Sequence, residues 1–149
     1  MKRFPLTAMA LMAVVVLAPP AARADLEAVK KERKLEKRSR LALENADTML
    51  DAARDAYRAG DASKLRTSLA ELQESVELAY QSLVDTGKKP RKNASHYKRG
   101  EINTRQLLRR LDTFRNEMSY LDRDQVEAVM KVIQKVHDSF LLDVMGGGK

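Results

Sequence analysis

The side chains best suited to chemistry in this sequence are two imidazoles, His96 and His137, and a dense run of cations around the first of them. A carboxylate-bridged di-iron bundle needs Glu-x-x-His on two helices, because one helical turn sets both ligands on one inner face. Here Asn93 precedes His96, and Gln134 precedes His137, at that spacing, so neither helix carries the motif. His-Glu-x-x-His and Cys-x-x-Cys-His are missing too. With no Cys in the chain, a disulfide scaffold, a thiol nucleophile and a thiolate metal site are excluded. No Gly-x-Ser-x-Gly marks a serine nucleophile. Gly146-Gly147-Gly148-Lys149 lacks the following Ser or Thr and the preceding strand of a phosphate loop. Met49, Met118, Met130 and Met145 are too dispersed for a copper-binding tract and read as core packing. His137 reads as an edge of the core. The expectation is a protein that is not an enzyme and uses no cofactor or metal.

The cations are the anomaly. Residues 88–115 hold ten basic side chains against Glu101 and Asp112, whereas residues 25–87 and 116–149 each carry a net charge of −2. The candidate anion-binding residues are Lys88, Lys89, Arg91, Lys92, Lys98, Arg99, Arg105 and Arg109. Clustered Lys and Arg raise the local potential and bind phosphates with release of counterions. His96 and Tyr97, in the middle of the run, have rings that can stack or insert at an interface. The opposing reading is a solvated connection whose cations pair with Glu71, Glu74 and Glu77.

The first 24 residues narrow the partner. Lys2 and Arg3 open the chain, Leu6 to Ala18 is apolar except for Thr7, Pro19-Pro20 breaks the run, and Ala22-Arg23-Ala24 is a small-x-small site. This is the layout of a secretory signal peptide cut between Ala24 and Asp25. An apolar run of about 13 residues is short of the ~20 that span a bilayer. The remaining chain has 25 basic and 21 acidic residues. The expectation is export to the periplasm or medium. Export argues against a nucleic-acid target and favours an anionic envelope component, such as lipid head groups, or an acidic protein. Asn93-Ala94-Ser95, in an expected loop, fits the N-glycosylation pattern.

Helical periodicity governs everything after residue 24, with no alternating stretch suited to a strand. Leu65, Leu69, Leu72, Val76, Ala79, Tyr80 and Leu83 form one stripe on a helix from about Ala62 to Thr86. Asp61 is placed to cap its start, and Gly87 then Pro90 to end it. Before it, Leu26 to Ala59 has no Gly or Pro and reads as one long helix, with Ala42, Ala46, Met49, Leu50, Ala53 and Tyr57 on a face. Its first half, Lys30 to Arg40, has Leu35 as its one apolar side chain, so that half is expected to project or fray. A third helix covers about Glu101 to Tyr120, with a start anywhere from Ser95 onward, and turns Leu107, Leu108, Leu111, Phe114 and Met118 inward. A fourth covers about Arg123 to Met145, with Val126, Val129, Met130, Ile133, Val136, Phe140 and Val144 inward. Asp122 with Gln125, and Leu121 with Val126, have capping-box and staple spacing between these two. Leu121-Asp122-Arg123-Asp124-Gln125 also resembles, with Asp in place of Thr, the Leu-Thr-x-x-Gln motif of small periplasmic helical chaperones of the Spy type. A generic helix cap accounts for the same five residues, and no family is assigned.

The expected fold is therefore all-α. Two long helical hairpins form an antiparallel up-down four-helix bundle, with helix one extended and partly projecting. A single helical domain covers 25–145 and a disordered tail 146–149. The leading functional expectation is binding of an anionic partner through residues 88–115. The alternative is a structural or chaperone-like periplasmic protein that acts as a homodimer through coiled-coil-like helix faces.

Overall fold

The computed structural model describes residues 26–146. Residues 1–24, which the sequence suggests as a signal peptide, the expected cleavage point between Ala24 and Asp25, and residues 147–149 lie outside the described residues. Every regular element among them is helical: α1 (Leu26–Lys30), α2 (Leu35–Arg58), α3 (Ala62–Val84), α4 (Ala94–Glu117) and α5 (Arg123–Gly146). Two short 3₁₀ turns, Pro90–Asn93 and Tyr120–Asp122, precede α4 and α5.

The α2–α3 connection forms as its residues dictate. Gly60 turns the chain at φ +72°, in the left-handed region that glycine adopts freely. The Asp61 carboxylate then accepts from the Lys64 amide at 2.9 Å, capping α3. The two helices run antiparallel, since Arg38 Nε donates to Ser82 Oγ at 2.9 Å and Asn45 Nδ2 to Ser75 Oγ at 2.9 Å. The stripe of α3 is buried from Leu65 to Leu83, with Tyr80 half-buried. It meets the Ala42, Ala46 and Ala53 face of α2, whose small side chains let the backbones approach. Leu107, Leu111, Phe114 and Met118 of α4, and Val126, Val129 and Ile133 of α5, close the main core.

The single long first helix is corrected to two pieces. The chain breaks at residues 31–34, and Leu26 and Val29 fold back to bury against Ala42, Leu43 and Ala79. In a continuous helix Leu26 would stand about 24 Å from Ala42, at 1.5 Å per residue. Burying two large apolar side chains, at roughly 1.5–3 kcal/mol each, outweighs the hydrogen bonds lost at the break. The charged start therefore does not project, and Lys30 Nζ lies 2.6 Å from Glu74 Oε1 on α3.

α4 begins at Ala94 and runs through Gly100, at the early end of the range that the sequence leaves open. Two further expectations are revised. Leu121 is 86% exposed and makes no staple, while Asp122 accepts from Ser119 Oγ at 3.0 Å and Tyr57 Oη at 3.3 Å instead of capping α5. Gly146, placed in a disordered tail by sequence, ends α5.

Candidate functional site

The basic run is divided by the helix that carries it. Thr86 pins its start: its hydroxyl donates to the Leu83 carbonyl at 2.6 Å and accepts from the Lys88 amide at 3.2 Å and from Asn93 Nδ2 at 3.4 Å. Asn93 is thereby buried, which withdraws its amide from any glycosylation role. Lys88 Nζ reaches Glu36 Oε1 of α2 at 2.6 Å. The hydrogen bond from that ammonium holds the Glu36 carboxyl down to about 2. Arg105 pairs with Glu101 at 3.6 Å. Arg110 spans to Asp47 at 2.9 Å and Asp51 at 2.5 Å on α2, and Arg115 pairs with Asp112 at 2.6 Å.

Six of the eight candidates, Lys89, Arg91, Lys92, Lys98, Arg99 and Arg109, are exposed and make no ion pair among the described residues. Five of these six cluster where the 3₁₀ turn enters α4. Arg109 shares the stripe of Lys98 but lies eleven residues on, about 16 Å further along the axis, so the structure does not bring it to the cluster. Of the expected acidic partners, Glu71 accepts from Asn45 Nδ2 at 3.0 Å, Glu74 holds Lys30, and Glu77 is exposed and makes no ion pair with the basic run among the described residues.

Tyr97 corrects the expectation of a paired aromatic surface. It is 2% exposed and packs edge-on against Tyr80 and Phe140, with centroids 6.5 and 6.2 Å away. His96 remains half-buried beside it. The buried phenol of Tyr97 is pushed up, chiefly by desolvation. His137 sits at the core edge, its Nδ1 3.0 Å from Thr104 Oγ1. Among the described residues no group of three or more His, Asp or Glu side chains is placed to hold a metal ion.

An open groove of about 350 Å³ lies beside the cations. Arg91 and Lys98 form one wall, and Val144 and Met145 of α5 the other. Asp143 also borders it, but its carboxylate accepts from Tyr80 Oη at 2.9 Å. No family model matches the chain, and neither does any curated protein or solved structure. The assignment of a site thus rests on these side chains alone.

Two parts of this end escaped the candidate set. Arg33 and Lys34, just before α2, are exposed and without an ion pair among the described residues, and the Lys88–Glu36 pair draws that segment toward the cluster. Their signal was the basic run Lys30–Arg40 itself. Leu142, Val144 and Met145 are 70%, 41% and 76% exposed. Sequence places Val144 and Met145 in the core; both are corrected, since they face the open groove beside the start of α4.

Proposed function

We propose that this is an exported, non-enzymatic helical protein that binds an anionic partner through the exposed cations at the entry to α4. One observation carries the reading: five neighbouring Lys and Arg side chains lack ion pairs among the described residues, although acidic side chains elsewhere in the fold are numerous. Solvated cations held on a pinned turn and a helix keep their charge available to an incoming anion. Residues 1–24 support export, and export favours an envelope anion or acidic protein over nucleic acid. For the scaffold, we read the four long helices as an up-down bundle, supported by the antiparallel α2–α3 pairing and by Thr104 meeting His137 between α4 and α5.

The test is charge reversal at Lys89, Arg91, Lys92 and Lys98 to Glu, leaving Lys88 to its partner Glu36. Retention on heparin should collapse while thermal stability stays within about 1 kcal/mol, since exposed charges contribute little to folding. Wild-type retention should also fall steeply with salt. Wild-type elution at low salt, together with the variant, overturns the reading. A second reading, a dimeric structural or chaperone-like protein, is favoured by Tyr120 and Leu121, 82% and 86% exposed at the α4–α5 junction. Light scattering that gives a monomer at all concentrations removes it.

A further inference from the structure

We propose that the cationic end of the molecule docks on the surface of an anionic phospholipid bilayer, with the end of α5 entering the head-group region. This rests on the anion-binding reading and names its partner. The reason is the company the cations keep. Val144 and Met145 share a groove with Arg91 and Lys98, and Leu142, two residues before Val144, is exposed outside that groove on the same helix end. A soluble polyanion would satisfy the cations and leave three large apolar side chains in water. A bilayer surface takes both, because phosphate head groups lie directly above the apolar acyl boundary.

Side-chain reach fits that layering. Lys and Arg extend apolar stems while their charged heads stay at head-group level, so Arg91 and Lys98 can flank Val144 and Met145 as they enter. Arg33 and Lys34, held near by the Lys88–Glu36 pair, widen the positive face. Among the described residues no helix is long and apolar enough to cross a membrane, so the contact is one of surface docking. Each cation near an anionic surface strengthens binding about five-fold. Reversing four should therefore weaken binding by more than about a hundred-fold.

The experiment is co-sedimentation of the protein, as recovered from expressing cells, with vesicles of phosphatidylcholine alone or of equimolar phosphatidylcholine and phosphatidylglycerol. Heparin retention is measured in parallel. Two variants are compared with wild type: the fourfold Glu replacement above, and Leu142→Ser with Val144→Ser and Met145→Ser. All share one N-terminus, so differences between them report on this end alone. Wild type should bind the anionic vesicles well above the neutral ones. The Glu variant should lose vesicles and heparin together, and the Ser variant should lose vesicles while keeping heparin. Circular dichroism confirms that both variants fold. If wild type binds heparin but not anionic vesicles, or if the Ser variant binds vesicles like wild type, the bilayer proposal falls while anion binding stands. That outcome leaves an acidic protein as the target. If wild type binds neither heparin nor vesicles, both readings fall.

Discussion

Gly100 decides between two opposed physical effects, which makes Gly100→Ala a sharp test of the packing. Gly100 is buried within α4, where glycine costs a helix about 1 kcal/mol relative to alanine. On propensity alone, alanine should stabilise the protein by that amount. A Cβ built there, however, overlaps the Cε1, Cζ and Cδ1 atoms of the Phe140 ring. That ring is fully buried and held edge-on by Tyr80, with centroids 5.0 Å apart, while Tyr80 is tied to Asp143. It has nowhere to swing. Overpacking of this kind costs about 1–3 kcal/mol, and so severe an overlap belongs at the upper end. Subtracting the propensity gain leaves a net loss of about 2 kcal/mol, or roughly 6–10 °C in melting temperature for a domain of this size. Thermal unfolding followed by far-UV circular dichroism reads it directly. Phe140→Leu should be costly alone but much less costly beside Gly100→Ala, with a coupling of at least about 1 kcal/mol in the double-mutant cycle. A higher melting temperature for Gly100→Ala, or strictly additive losses, would refute the contact between α4 and α5.

Other expectations follow from the same structure. Leu72→Asp places a carboxylate at a fully buried point of α3 and should cost more than ~3 kcal/mol in urea unfolding, whereas Leu35→Asp, at a half-buried site, should cost well under 1. Equal losses would mean that the core is misplaced. Because Glu36 titrates near 2 in the fold against an ordinary 4.5, the unfolded chain binds more protons between those values. The stability from its pair with Lys88 should thus be present above about pH 4.5 and vanish as pH falls toward 2. Glu36→Gln should flatten that part of the urea-midpoint profile, and an unchanged acid slope would remove the pair from the account. For export, the intact mass of protein recovered outside the cytoplasm should match a chain that begins at Asp25; a membrane-held species retaining Met1 would contradict it.

What could be read from sequence, and what could not, divides along a physical line. Periodicity reports which side of a helix is apolar, so the Leu65–Leu83 stripe and the Asp61 cap were legible. Extending the α4 register backward from Leu107 through Thr104 and Gly100 also reaches Tyr97, a signal strong enough to have placed that ring in the core. The turn at residues 31–34 carries no such signal. It contains neither Gly nor Pro, and only the prospect of burying Leu26 and Val29 on a distant part of the chain favours it.

Adjacency in sequence also misleads about charge. Arg109 and Arg110 are neighbours, yet 100° of helical rotation sends Arg110 to Asp47 and Asp51 and leaves Arg109 in solvent. A count of basic residues therefore overstates the site, because it cannot tell a cation already paired from one that is free. Val144 shows the complementary error. It continues the stripe of Ile133, Val136 and Phe140 by period, yet it faces the open groove beside Arg91 and Lys98 and is exposed. Periodicity specifies a direction but not what stands opposite, so an apolar residue that faces an open groove looks like core until the neighbours are in place. Here that groove lies beside the cations that remain unpaired. The two misreadings therefore meet at one end of the molecule, where the proposed contact with an anionic bilayer is made.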